Sequence, residues 1–273
     1  MQRDLRGSGL DQPPYRLRVW LLAPGGRRVA RRPLIGRSLA GLDMITGDGS
    51  IRRFVLEAID PQTECVSMEV KFEITEPSEI GDLIGPDAAA AVLEGADCDL
   101  EPEEVGKFRT RFNVAFEPGD LAVRLRTASH LDDLPYQVHT GRELALMLKG
   151  TKPLTAFWGA YPSIPDREEI PERLFDPYVP AGRFVKRERV FEARPSGVAG
   201  GELRHATRIV LYALPQEAWR IDAYLLLQDT AAKSGWNERF ERMQGSLLGY
   251  EEWQNDIFIE RCYRPAVRSR RAS

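Results

Sequence analysis

The chain has 273 residues, 42% of them hydrophobic and 29% charged, with 23 Gly and 19 Pro. That length suits one large or two small domains, and that composition is ordinary for a globular protein and argues against disorder. The net charge of -3 does not suit a bulk nucleic-acid polycation, but it is unevenly spread.

From Phe72 to Gly106 there is no Lys or Arg but eleven acids, whereas Arg261 to Ser273 holds five Arg and no acid. The start, MQRDLRGSGL, lacks the apolar core of a signal peptide, and no apolar run reaches the eighteen or so residues that span a bilayer. Secretion and membrane insertion are therefore not expected. Cys65, Cys98 and Cys262 form no C-x-x-C pair, so neither a disulfide framework nor a zinc knuckle is implied, and a reducing cytoplasm is the expected home.

In chain order, residues 1–14 read as a flexible arm. Tyr15 to Leu22 and Val29 to Ile35 flank APGGRR as a hairpin, and IRRFVLEAI follows the GDGS turn as a third strand. VSMEVKFEI places Val66, Met68, Val70, Phe72 and Ile74 on one face of a fourth. The acidic segment 76–106 interrupts this β-rich part, which runs over 15–135, with AAAAVLEG and EPEEVGKFRTRF as helices, the second opened by Pro102. DCDLEPEE alternates acids as a calcium loop does, yet Pro102 stands where that loop needs glycine and Phe108 where it needs a carboxylate.

A second part, 136–260, opens on Thr140-Gly141-Arg142-Glu143, a T-x-x-E capping box for the helix carrying Leu144, Met147 and Leu148. PLTAFW reads as a buried strand, FVKRERVFEA and ELRHATRIVLYAL as a hairpin, and the stretch from Pro215 as a helix. Asn237 caps a further helix, YEEWQNDIFIE forms the last, and residues 261–273 are a basic tail. The fold class expected is α+β: a mainly antiparallel β part with an acidic helical insertion, then a β-hairpin plus helices.

No phosphate loop, dinucleotide fingerprint, nucleophile elbow or short metal motif is present. Neither a metal nor a cofactor is expected. His139 sits at the helix start with Arg142 and Glu143, and with Asp222 they are the candidate catalytic residues of a dispersed active site. The competing reading of the same residues is a helix start and nothing more. Arg183, Lys186, Arg187 and Arg189 interleave with Phe184 and Phe191 as a ribbon that could follow phosphates. Trp253 and Asn255 of WQND form an aromatic and polar cluster, the other candidate contact for a partner protein or nucleic acid. With opposite-sign surfaces and no catalytic motif, the first expectation is an intracellular interaction or regulatory protein; an enzyme around His139 and a nucleic-acid binder are the alternatives.

Overall fold

Two antiparallel sheets, each covered by helices, make up an α+β architecture. The computed structural model describes residues 19–22, 28–31, 52–76, 78–163, 168–191 and 206–272. The arm at 1–14, the GDGS turn, His205 and the RPSGVAGG connection lie outside them.

The first sheet has six strands: β1 (Val19–Leu22), β2 (Arg28–Arg31), β3 (Arg52–Ile59), β4 (Val66–Ile74), β5 (Asp97–Leu100) and β6 (Ala122–Thr127). They lie in the order β1-β2-β5-β6-β3-β4. The first hairpin forms with Val19 opposite Arg31. On one face Phe54, Leu56, Phe72, Cys98 and Leu125 pack under α1 (Ser78–Ile84), α2 (Pro86–Leu93) and α3 (Pro102–Arg111). Phe72 centres an aromatic cluster, with ring centroids 5.3 Å from Phe112, 5.9 Å from Phe54 and 6.0 Å from Phe108.

Acids of the negative block serve this layer locally. Glu79 pairs with Arg111 at 2.6 Å, Glu103 with Lys107 at 2.7 Å, and Glu104 accepts the N–H of Glu101 at 2.9 Å to cap α3. The DCDL segment is a strand between β2 and β6. Its alternating acids follow from strand pleating, and Asp99 takes Arg124 at 3.1 Å.

The period-two reading of β4 needs a correction at its start. The register steps from Ala58 opposite Met68 to Ile59 opposite Val66, a bulge that turns Val66 to the opposite face from Met68. Met68 is left 41% exposed on an edge strand.

Neither α1 nor β6 is expected from the sequence. The β6 sequence, AVRLRT, alternates Val123 and Leu125 toward the helices with Arg124 and Arg126 on the opposite face. Arg126 is nevertheless buried: it donates to Glu57 at 2.6 Å and forks onto Asp132 at 2.7 and 2.8 Å.

The second sheet has β7 (Leu154–Tyr161), β8 (Val185–Phe191) and β9 (Ala206–Ala213) in the order β7-β9-β8. Central β9 is buried on both faces from Ile209 onward, which is why IVLYA reads as a continuous apolar run. Val210 and Tyr212 pack toward α4 (Glu143–Leu148) and α5 (Glu172–Phe175); Ile209 and Leu211 pack toward α6 (Trp219–Ser234).

Asn237 caps α7 (Glu238–Leu247), accepting from the N–H groups of Arg239 and Phe240 at 3.0 and 3.2 Å. Pro215 opens a short 3-10 turn before α6 rather than α6 itself. YEEWQNDIFIE is not the last helix: α8 (Glu252–Phe258) runs through a π turn into α9 (Arg264–Ala272), so the segment read as a basic tail is helical. Pro265 would clash with a carbonyl one regular turn back, and the wide π turn gives it room. Among the described residues, no helix is long and apolar enough to cross a membrane.

The two sheets meet through the β3–β4 turn and the entry to α4. The Val66 N–H donates to the Gly141 carbonyl at 2.9 Å, and the Ala145 N–H donates to Cys65 Sγ at 3.3 Å.

Candidate functional site

Where the sheets meet, a cavity of about 230 Å³ opens between the β3–β4 turn, α4, β7, α5 and the end of α7. Among its lining residues are Cys65, His139, Glu143, Lys152, Phe157 and Tyr250.

Local sequence explains the arrangement. Gly150 at φ 76° ends α4 one turn after Met147, and Lys152 and Pro153 lead straight into β7. Lys152 is thereby held between layers, with only 3% of its surface exposed. Gly249, at φ 92°, crosses so close to Pro153 that an added Cβ would lie 2.4 Å from its Cδ. This close approach sets the Leu248 carbonyl and the Tyr250 ring around the lysine.

Lys152 Nζ donates to the Leu248 carbonyl at 3.0 Å and lies 3.2 Å from His139 Nδ1. An ammonium has only donors, so Nδ1 accepts and the imidazole proton sits on Nε2. The imidazole stacks on Tyr250 at 4.1 Å, and the His139 N–H donates to the Tyr250 hydroxyl at 2.9 Å. Tyr136 meets the same ring edge-on at 6.1 Å.

The electrostatics follow from burial. Desolvation lowers Lys152 from 10.5 to about 8, with Glu143 opposing the drop. Desolvation and then the Lys152 charge lower His139 from 6.5 to about 3, so the imidazole is neutral at physiological pH. Burial raises the Cys65 thiol. The cluster thus holds an amine poised near neutrality, a neutral imidazole, a protonated thiol and a carboxylate. Glu143 makes no hydrogen bond or ion pair with another of the described residues.

Of the four residues singled out for chemistry, His139 and Glu143 come together in this cavity. Arg142 is buried but turned away, donating to the Val66 carbonyl and to Glu69 at 2.7 Å. Asp222 lies on the outer side of α6, where it pairs with Arg187. The expected capping box does not form: α4 begins at Glu143 with Arg142 at its N-cap, and Thr140 and Gly141 make the preceding turn. Gly141 takes φ 78° and gives its carbonyl to Val66, which pulls the chain out of helical geometry before Arg142.

Lys152, Cys65 and Tyr250 escape sequence reading. Each stands in a stretch without a motif, and only tertiary packing brings them within reach of His139. A lysine inside LKGTKPL was the one available signal, since it precedes a buried strand with no helix face to carry it outward.

The basic ribbon is internally paired. Arg183 donates to the Leu148 carbonyl at 3.0 Å, and Lys186 bridges Glu172 at 2.6 Å and Asp176 at 2.8 Å. Arg187 pairs with Asp222, and Arg189 with Asp229 at 2.8 Å. Asn255 is buried against Gly245 and donates to Ser246 Oγ at 3.2 Å, a contact between α7 and α8 rather than an outward one. Trp253 is exposed and meets Tyr136 edge-on at 5.4 Å. Among the described residues no group of three or more His, Cys, Asp or Glu could hold a metal ion. Comparison with protein-family models, with curated proteins and with solved structures gives no match.

Proposed function

We propose that this protein binds a small organic molecule in the cavity between its two sheets and acts on it with Lys152, His139 and Glu143. One observation carries the reading. A nearly inaccessible lysine has its ammonium among a main-chain carbonyl, an imidazole and a tyrosine face, all of which line the same cavity. A lysine that served only as a tie between layers would be matched to a carboxylate partner, as Lys186 is by Glu172 and Asp176. Lys152 instead has its proton affinity lowered by burial, the condition that suits an amine to base or nucleophile chemistry. At about 230 Å³, the cavity lies below the roughly 300–1,000 Å³ of sites for drug-sized ligands, which points to a metabolite-sized compound. All three cysteines are free and buried, which fits a reducing, cytoplasmic setting.

Native mass spectrometry of the protein as purified tests this, alongside Glu143→Gln. Glu143 makes no hydrogen bond or ion pair with another of the described residues, so the variant is expected to fold, with a melting temperature lowered by the lost support of the Lys152 ammonium. A small added mass on the wild type that drops on Glu143→Gln supports the reading. Bare chains for both, together with no melting shift across a metabolite set, would sink it.

A second reading, an interaction protein that works through another protein, is favoured by α6. There Trp219 and Leu226, one stripe on the same helix, are 57% and 67% exposed. Replacing both by Ser would leave the cavity chemistry intact and abolish partner binding. Binding that survives the double replacement removes this surface from consideration. A nucleic-acid role has less support, because the ribbon's cations are already paired.

A further inference from the structure

We infer that the compound taken by this cavity is an uncharged aldehyde or ketone with an apolar body, and that Lys152 holds it as an imine. The inference rests on the cavity reading above and names its substrate class.

Charge on the walls argues for neutrality. Glu64 and Glu168 are held by Arg173, Arg124 by Asp99, and Glu169 accepts the Ala160 N–H. One Arg173 serves both Glu64 and Glu168, so acids outnumber cations on the wall and disfavour an anion, and Lys152, whose charge Glu143 supports, disfavours a cation at the reacting end. An anionic ligand would be repelled by Glu143 and the other wall acids, and a cationic one would face Lys152. One part of the wall is apolar, lined by Leu144, Phe157, Leu174 and Phe175, beside the polar Thr63, Thr140 and Tyr250. Such a surface takes a hydrocarbon or aromatic body, and the lysine meets the polar end.

The chemistry balances with the groups present. The Lys152 ammonium passes a proton to Glu143 through solvent, the two making no direct hydrogen bond, and the freed nitrogen lone pair forms a bond to the carbonyl carbon as the C–O π bond opens. The resulting oxygen takes up two protons, one from the newly bonded nitrogen and one returned by Glu143, and leaves as water. The product is the protonated imine, so one ammonium and one carbonyl give one iminium and one water, with no oxidant or reductant. His139, neutral and on Lys152 Nζ, orients the attacking nitrogen. Tyr250 fixes that imidazole by stacking, and its hydroxyl accepts the main-chain N–H of His139. The burial of Lys152, 3% exposed, limits access of bulk water to the iminium and so slows its hydrolysis.

The test uses the full chain with benzaldehyde as probe and cyanoborohydride as trap, followed by peptide mapping. Pyruvate serves as the charged comparison, and benzaldehyde binding is read separately as a saturable melting shift. An ordinary lysine at neutral pH has a free-amine fraction on the order of a hundredfold smaller than one titrating near 8. Lys152 is therefore expected to label on the order of tenfold faster than exposed Lys107, Lys149 and Lys233, to prefer benzaldehyde over pyruvate, and to slow in Glu143→Gln. Lys152→Arg should lose the label, while the wild-type map stands even if that variant fails to fold. Saturable binding with Lys152 unlabelled would overturn the imine and leave the cavity reading in place. Absence of both binding and label would overturn the two together.

Discussion

Replacing Lys152 by Met separates a working amine from a structural tie, because the two predict different dependence of stability on pH. Burial lowers Lys152 from 10.5 to about 8. At about 1.4 kcal/mol per pH unit, that displacement is about 3 kcal/mol. Between those two values the unfolded chain holds the proton and the folded chain has released it. Stability therefore rises with pH across that window, and below about pH 8 the wild type carries the whole penalty of a buried ammonium. Lys152→Met removes the titration and leaves the Leu248 carbonyl and His139 Nδ1 without a donor at every pH. That loss, about 1–3 kcal/mol for a buried acceptor, is nearly constant and cancels when the pair is compared across pH. Urea denaturation of both proteins from pH 7 to 10.5 should show the wild type gaining about 3 kcal/mol on the variant. A difference that stays flat, or that runs against the wild type as pH rises, would mean the ammonium is well compensated in the folded state. The reading of Lys152 as a poised amine would then fall.

Further outcomes follow from the same structure. His139 is held neutral to about pH 3 by burial and by Lys152, while the unfolded chain protonates it near 6.5, so stability falls as pH drops. Between pH 6.5 and 5 this is about 2 kcal/mol, and His139→Phe, which keeps a ring against Tyr250, should remove that share of the slope in paired denaturation curves. Arg126→Met leaves Glu57 and Asp132 buried without their cation and should cost about 3–5 kcal/mol by urea denaturation, whereas a loss under 1 kcal/mol would show that the network contributes little. Gly245→Ala places a Cβ 1.9 Å from Asn255 Oδ1 and should destabilise by about 1–3 kcal/mol. Adding Asn255→Ala should recover part of it, and strict additivity in the double-mutant cycle would contradict the contact.

Local elements were legible where one segment carried its own signal. Pro102 and the acids after it mark α3, Asn237 caps α7, and the apolar run of β9 announces a strand buried on both faces. Misreadings came where a distant segment decided the outcome. The T-x-x-E pattern at Thr140 is locally a good helix start, but Gly141 gives its carbonyl to Val66, so α4 begins later. β6 looks too charged for an interior strand because its arginines are matched by Glu57, Asp99 and Asp132, residues from other parts of the chain. The ribbon at Arg183 to Arg189 looks like a free cationic surface until α6 brings Asp222 and Asp229 against it.

The same division holds for the site. Sequence alone determined that this is an α+β chain without a catalytic or metal motif, and that His139 and Glu143 stand side by side at a helix entry, because period, caps and turn residues act over a few positions. Tertiary structure alone decided that Lys152 is buried beside that histidine, that Tyr250 covers it, and that Arg142 and Asp222 face elsewhere. A lysine's proton affinity depends on the dielectric and charges around it, and here those come from Leu248, Tyr250 and His139. Two of the three lie about a hundred residues away in the chain, brought to Lys152 only by the close passage of Gly249 over Pro153.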